Sequence, residues 1–323
     1  VLLDVVFLVI GLVLLIGGAD LLIHGSTRLA SRLGVSRFVI GLTIVAFGTS
    51  APELAGGIGM VLTGRGEMVL GTVLGSNIAN IGLILGLTAI VRPVPVHMRT
   101  VRDDVLVGIG VTLLAAALCG GGQINRLEGV VLLAGIGLYI FRVYRTQGTG
   151  AIEGVLPTEP DDEGTDAPAV RARLAPAIVM AAIGIAVLAG GSRLLVDGAS
   201  GLAARAGVPE FIIALTLVAV GTSLPELATS LRAAFRGESD IAVGNVLGSN
   251  IFNVLAVLGV CSVIGPLQVP PEVLTRDVWV ALGAAVACIP VFMRGARISR
   301  GEGVVLLIAY AAYTAGVFTP AGS

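Results

Sequence analysis

The sequence predicts an all-α polytopic membrane protein with ten transmembrane helices, arranged as two inverted five-helix repeats. Three observations predict it. Of 323 residues, 55% are hydrophobic and 13% charged, against roughly 25% charged in soluble domains, and the mean hydropathy is +0.99. Apolar runs of about 20 residues, the length that spans a bilayer, recur along the chain. The polar residues inside those runs recur as well, at a spacing of 173 residues. A chain this poor in charge has no polar surface to present to water, so its expected surroundings are a lipid bilayer.

Ten candidate helices lie near 3–25, 36–62, 68–91, 103–122, 127–144, 172–197, 209–233, 240–265, 277–294 and 302–318. The opening "VLLDVVFLVIGLVLLIGGAD" has no basic leader and reads as a first membrane helix rather than a cleaved signal. Between the fifth and sixth runs lies the segment 146–171, with Glu153, Glu159, Asp161, Asp162, Glu163, Asp166 and three prolines. That composition cannot bury an apolar face and is expected to be a solvated, acidic linker. It divides the chain into a first repeat, 1–145, and a second, 172–323.

The repeat is visible residue by residue. "GGADLLIHGSTRLASRLGV" (17–35) lies on "GGSRLLVDGASGLAARAGV" (190–208), and "GLTIVAFGTSAPELA" (41–55) lies on "ALTLVAVGTSLPELA" (214–228). "GRGEMVLGTVLGSNIANIGLILGL" (64–87) lies on "GESDIAVGNVLGSNIFNVLAVLGV" (237–260) without a gap. Five helices per repeat is an odd number, so the second copy is expected to enter the membrane from the opposite side. All 20 basic residues are arginine, and 15 of them fall beside the loops that follow the odd-numbered helices. Under the positive-inside rule those loops and the acidic linker are cytoplasmic, and both termini are outside. The plasma (inner) membrane is the expected location.

Composition also excludes classes of function. The net charge is −1 and the charges are spread through loops, which leaves no basic face for nucleic acid. Cys119, Cys261 and Cys288 are far apart in apolar sequence, unlike a disulfide framework or a metal cluster. No nucleophile–base pair or phosphate loop appears, so the chain is not expected to be an enzyme or to need a cofactor. Nothing in the sequence points to a protein partner. His24 and His97 fall in predicted cytoplasmic loops, where a surface role is expected.

Polar residues stand out against this background. The second candidate helix carries Thr49, Ser50 and Glu53, which share one helical face, with Pro52 removing the donor for the Gly48 carbonyl. The third carries Ser76, Asn77 and Asn80. The seventh repeats the first set as Thr222, Ser223, Pro225 and Glu226, and the eighth repeats the second as Ser249, Asn250 and Asn253. Asn77 and Asn250 suit either a helix–helix hydrogen bond or a ligand role. A carboxylate at the bilayer centre costs at least a few kcal/mol and marks a functional site. Two of them, related by the repeat, are expected to meet near the midplane. Carboxylates, hydroxyls, amide oxygens and freed carbonyls form an all-oxygen ligand set, which suits Ca²⁺ and Na⁺ rather than Zn²⁺ or copper.

At these residues the sequence resembles the cation/calcium antiporter superfamily, in its sodium/calcium exchanger branch. "GTSAPE…GSNIAN" and "GTSLPE…GSNIFN" are similar to that family's two alpha repeats, and the resemblance covers nearly the whole chain. It implies exchange of about three Na⁺ for one Ca²⁺ by alternating access, with ions held among helices 2, 3, 7 and 8 while helices 1 and 6 slide. It also implies that Glu53 and Glu226 are the shared Ca²⁺ and Na⁺ carboxylates and that Thr49 and Thr222 lend backbone oxygens to Ca²⁺. Ser50, Ser76, Ser223 and Ser249, with the carbonyls of Ala46 and Ala219, would serve flanking Na⁺ sites, and Asn80 and Asn253 would line the middle. Some prokaryotic members carry Asp where this chain has Asn253, so only two carboxylates remain. Proton-coupled members typically carry a further acidic residue in the motifs of helices 3 and 8, where this chain has Ser76, Asn80, Ser249 and Asn253. An H⁺/Ca²⁺ antiporter on the same architecture is the alternative, and a channel or ion-sensing receptor a third reading that broken helices in inverted repeats disfavour.

Overall fold

The computed structural model describes residues 1–96, 98–147, 167–208, 219–293 and 297–318. The acidic run from Glu153 to Asp166, and His97, lie outside the described residues. The helices are α1 Leu2–Leu33, α2 Arg37–Leu62, α3 Glu67–Val91, α4 Met98–Cys119 and α5 Arg126–Gln147, then α6 Ala167–Arg205. They continue with α7, made of Ala219–Thr222 and Leu224–Arg236, and with α8 Ser239–Ile264, α9 Val273–Met293 and α10 Arg300–Phe318. Among the described residues seven helices, α1, α2, α3, α5, α6, α8 and α9, are long and apolar enough to cross a membrane. The chain is an integral membrane protein.

Two helices run well beyond their expected bounds. α1 was expected over 3–25 but continues to Leu33, where Gly34 closes it with φ 66° and donates its N–H to the Ala30 carbonyl. Hydropathy measures the hydrocarbon thickness, whereas a helix stops only where its backbone is capped. His24 therefore sits on α1 and not in a loop. Its Nδ1 lies 2.8 Å from the Asp20 carbonyl. α6, expected over 172–197, spans Ala167–Arg205, and Gly207 with φ 82° follows its end as Gly34 follows that of α1.

Burial sorts the helices into an inner and an outer set. In α3 and α8, 78% of the most apolar window is buried inside the protein, against 22% in α5. Leu70, Val73 and Leu74 of α3 and Val246, Ile251 and Val254 of α8 belong to the central core. The outward residues of α1, such as Leu2, Val9, Leu12 and Val13, are exposed, as a lipid-facing surface requires. The three cysteines are buried among apolar neighbours, as expected.

Two short antiparallel ribbons clamp the ends. β1 (Val94–Pro95) pairs with β4 (Arg297–Ile298), and β2 (Gln123–Ile124) pairs with β3 (Leu267–Gln268). β1 and β2 flank α4, whose 22 residues span about 33 Å, so the two ribbons lie at opposite ends of that helix. β1 and its 173-residue counterpart β3 are thus at opposite ends of the protein.

α1 and α6 pack along a seam of glycines seven residues apart, Gly11, Gly18 and Gly25 on one and Gly184, Gly191 and Gly198 on the other. A Cβ built on Gly18 would come within 2.8 Å of the Leu188 backbone nitrogen, and one on Gly184 within 2.5 Å of that of Leu22. Small residues at this seam let the backbones approach closely enough for dispersion to hold the pair in lipid. α1 is also tied to α7. Arg232 Nε and Nη2 donate to the two Asp20 oxygens at 2.5 and 2.8 Å, and Arg236 Nε donates to Oδ1 at 2.8 Å.

The seam makes a direct prediction. Gly18→Leu should force the two backbones apart and lower the melting temperature in detergent, since overpacking costs about 1–3 kcal/mol. Gly17→Leu should leave it unchanged, because a Cβ on Gly17 meets nothing within 4 Å. Equal melting temperatures for the two variants would refute the close-packed seam.

Candidate functional site

The site grows from two interrupted helices. In α2 the turn Gly41–Val45 is π-helical, Ala46–Thr49 is α-helical, and the helix breaks at Ser50 before resuming as Ala51–Leu62. α7 does the same, with Ala219–Thr222, a break at Ser223, and Leu224–Arg236. The breaks have matching backbones, φ −85° and ψ 2° at Ser50 and φ −88° and ψ 3° at Ser223. Pro52 and Pro225 fall in the first turn of each resumed segment, where a missing N–H is tolerated. Each proline withholds a donor from the carbonyl four residues earlier, Gly48 or Gly221. The Gly221 carbonyl accepts instead from Ser192 Oγ of α6 at 2.5 Å. The residue 173 positions before Ser192 is Ala19, which has no side-chain donor for Gly48.

α3 and α8 supply the other walls. Each becomes π-helical at the same repeat position, from Asn80 to Leu85 and from Asn253 to Val257, a rare turn that collects at functional sites. Four asparagines then interlock across the repeat. Asn77 Nδ2 donates to the Asn250 carbonyl at 3.1 Å and Asn250 Nδ2 to the Asn77 carbonyl at 3.3 Å. Asn80 Nδ2 donates to Asn250 Oδ1 at 2.8 Å, and Asn253 Nδ2 to Asn77 Oδ1 at 3.1 Å. This quartet fixes every amide. Asn77 and Asn250 must turn their nitrogens to backbone carbonyls, so their oxygens meet the nitrogens of Asn253 and Asn80. Asn80 Oδ1 and Asn253 Oδ1 are left buried without a partner.

Glu53 and Glu226 are 2% and 1% exposed, and each reaches across to the other repeat. Ser50 Oγ donates to Glu226 Oε1 at 3.0 Å, with Thr49 also facing that carboxylate. Ser223 and the half-buried Thr222 face the Glu53 carboxylate, yet neither closes a hydrogen bond of ordinary geometry to its oxygens. Both Glu53 oxygens, Glu226 Oε2 and Ser249 Oγ are buried without a hydrogen-bond partner. Ser223 Oγ donates to Ser76 Oγ at 3.4 Å. The Ala46 carbonyl accepts from Ser50 N at 3.0 Å, and Thr49 Oγ1 stands 3.3 Å from it. Ala219 opens the described part of α7, and its side chain lies outside the description. Leaving a buried carboxylate unsatisfied is expensive, and a cation is the chemistry that would satisfy these oxygens. Among the described residues no three His, Cys, Asp or Glu side chains converge. The fixed charge of the cluster is therefore that of two carboxylates, and neutral oxygens complete it.

The structure thus brings Thr49, Ser50, Glu53, Ser76, Asn80, Ser223, Glu226 and Asn253 into one buried region with Thr222, and Ser249 is buried on α8 beside Gly248, which abuts Ala46. Asn77 and Asn250 make the helix–helix hydrogen bonds, and these orient the neighbouring amides. Sequence reading missed Asn245, fully buried on α8. Its Oδ1 lies 3.0 Å from Thr49 Oγ1, and its Nδ2 donates to Ser230 Oγ at 3.0 Å and to the Glu226 carbonyl at 3.4 Å. The signal was there, an amide in the apolar run "IAVGNVLG", but the other repeat has Thr72 at that position, so matching identical polar residues passes over it.

The sodium/calcium exchanger protein family matches residues 3–145 and 176–319. The chain is 35% identical over 313 residues to the inner membrane protein YrbG of Escherichia coli K12, covering 94% of each. It is 31% identical over 344 residues to the sodium/calcium exchanger MaX1 of Methanosarcina acetivorans, covering 96% of this chain and 97% of the relative. The structure superposes on that of the sodium-calcium exchanger NCX_Mj with a TM-score of 0.84 at 30% identity, over 99% of this chain and 100% of the other.

The asparagine quartet predicts paired effects. Asn77→Leu and Asn250→Leu each strand one amide donor and one backbone carbonyl. Each should destabilise the protein by about 1–2 kcal/mol and weaken cation binding to a similar extent. Thermal melts and ⁴⁵Ca²⁺ binding on purified protein check this, and a large effect from only one of the two would contradict the interlocked arrangement.

Proposed function

The chain belongs to the sodium/calcium exchanger protein family, and from that premise we propose that it is a secondary active antiporter exchanging Na⁺ for Ca²⁺ by alternating access. The observation that carries the reading is the Glu53–Glu226 pair, buried, crossed between the repeats and rich in oxygens without partners. Two carboxylates balance one Ca²⁺, and Ca²⁺ takes 6–8 oxygens in a flexible cage. Glu53 and Glu226 bind Ca²⁺ with the carbonyls of Thr49 and Thr222. Ser50, Ser76, Ser223 and Ser249, with the carbonyls of Ala46 and Ala219, serve flanking Na⁺ sites, and Asn80 and Asn253 line the middle.

The architecture proposed is ten transmembrane helices in two inverted repeats, 1–145 and 172–323, joined by a cytoplasmic linker over 146–171. The matching breaks at Ser50 and Ser223 and the placement of β1 and β3 at opposite ends support the inversion. The arginine bias supports both termini outside in the plasma (inner) membrane. The glycine seam supports α1 and α6 moving as one piece across α2, α3, α7 and α8. Three Na⁺ on two carboxylates leave the cluster about +1, so each cycle moves one charge, worth about 2.3 kcal/mol per 100 mV. Neutral amides at Asn80 and Asn253 favour Na⁺ coupling over proton coupling and offer no dedicated K⁺ site.

In proteoliposomes, an outward-directed Na⁺ gradient should drive ⁴⁵Ca²⁺ uptake that responds to membrane potential and ignores K⁺. Glu53→Gln and Glu226→Gln should each abolish it while the protein remains monodisperse. Uptake driven by a proton gradient alone, or normal exchange in either variant, would overturn the proposal.

A further inference from the structure

The two half-sites are not equivalent, and the difference centres on Asn245. Thr49 Oγ1 carries one proton and stands near two strict acceptors, Asn245 Oδ1 at 3.0 Å and the Ala46 carbonyl at 3.3 Å, while the Glu226 carboxylate also faces it. The orientation of Asn245 is not arbitrary. Its Nδ2 faces the Glu226 carbonyl and Ser230 Oγ, and turning the amide over would set its oxygen against that carbonyl. Asn245 Oδ1 therefore faces Thr49 and can only accept. With the hydroxyl proton taken there, the Ala46 carbonyl holds only its backbone bond from Ser50 N. In the first repeat the same position is Thr72, whose hydroxyl donates to Met68 of its own helix at 2.9 Å. Among the described residues Thr72 makes no such bond across to α7.

We propose that Asn245 is a positioning residue that draws the Thr49 hydroxyl proton away from the Ala46 carbonyl, leaving that carbonyl's second lone pair for Na⁺ in one half-site only. The inference rests on the Na⁺/Ca²⁺ exchange reading and deepens it, because it makes the two flanking Na⁺ sites unequal. Asn245 touches no ion itself. It acts through Thr49 on one side and, by its amide donor, steadies the turn that carries Glu226 on the other.

The acceptor and donor roles of Asn245 can be separated by substitution, with ⁴⁵Ca²⁺ flux in proteoliposomes giving half-saturation values for Na⁺ and Ca²⁺. Asn245→Leu removes both roles, so the Thr49 proton falls back on Ala46. The Na⁺ half-saturation should rise about fivefold, the size of one neutral hydrogen bond, with a smaller change for Ca²⁺. Adding Thr49→Val removes the proton altogether and should recover most of the lost Na⁺ affinity. Asn245→Asp keeps an acceptor of the same shape but not the donor, and its Na⁺ half-saturation should not rise. That variant keeps the test decisive if the leucine variant does not fold. An unchanged Na⁺ half-saturation in Asn245→Leu, a double variant no better than the single, or a rise in Asn245→Asp would each overturn the inference. A wild-type protein without Na⁺-dependent flux would overturn the exchange reading and this inference together, whereas wild-type exchange with any of the other outcomes overturns the inference alone.

Discussion

Two carboxylates buried in a membrane protein can be kept only where something repeatedly offsets their charge, and the structure is arranged around that requirement. Glu53 and Glu226 sit almost without exposure, each just after a helix break and each directed toward the hydroxyls of the opposite repeat. An arginine partner would neutralise them permanently. The arginines of this region, Arg232 and Arg236, are engaged elsewhere, with Asp20 on α1. What surrounds the pair is neutral oxygen positioned by hydrogen bonds, which suits a mobile cation better than a fixed one.

The positioning comes from two kinds of hydrogen bonding. The asparagine quartet is symmetric across the repeats and aims two amide oxygens inward by satisfying both amide nitrogens elsewhere. The contacts that break the symmetry lie around it. Ser192 caps the carbonyl freed by Pro225 where the first repeat has Ala19, and Asn245 binds Thr49 where the first repeat has Thr72. An inverted repeat gives the two faces of a transporter a common plan.

Much of the site was legible in the sequence, and for a physical reason. A glutamate or asparagine in a lipid-soluble run is costly, so each one is conspicuous, and the 173-residue repeat picked out those that recur. Thr49, Ser50, Glu53 and their counterparts were found that way. The helix ends were not, because α1 continues to Leu33 past the hydrocarbon and is stopped by Gly34, a feature hydropathy does not register. His24 was misplaced into a loop for the same reason. Asn245 escaped because the other repeat has Thr72 at its position. The Asp20–Arg232 pair escaped because it joins residues 212 positions apart on helices whose packing no local pattern reveals.

Exchange of the two ions requires that one cluster, with two carboxylates and neutral oxygens, holds either Ca²⁺ or several Na⁺ and never both loads together. Equilibrium binding of ⁴⁵Ca²⁺ to purified protein, titrated with Na⁺ at constant ionic strength, tests it most directly. Na⁺ should displace Ca²⁺ completely and more steeply than one-for-one, while K⁺ at the same concentration should leave it bound. Calcium that stays bound at saturating Na⁺, or leaves along a one-for-one curve, would contradict a shared site for the two ions.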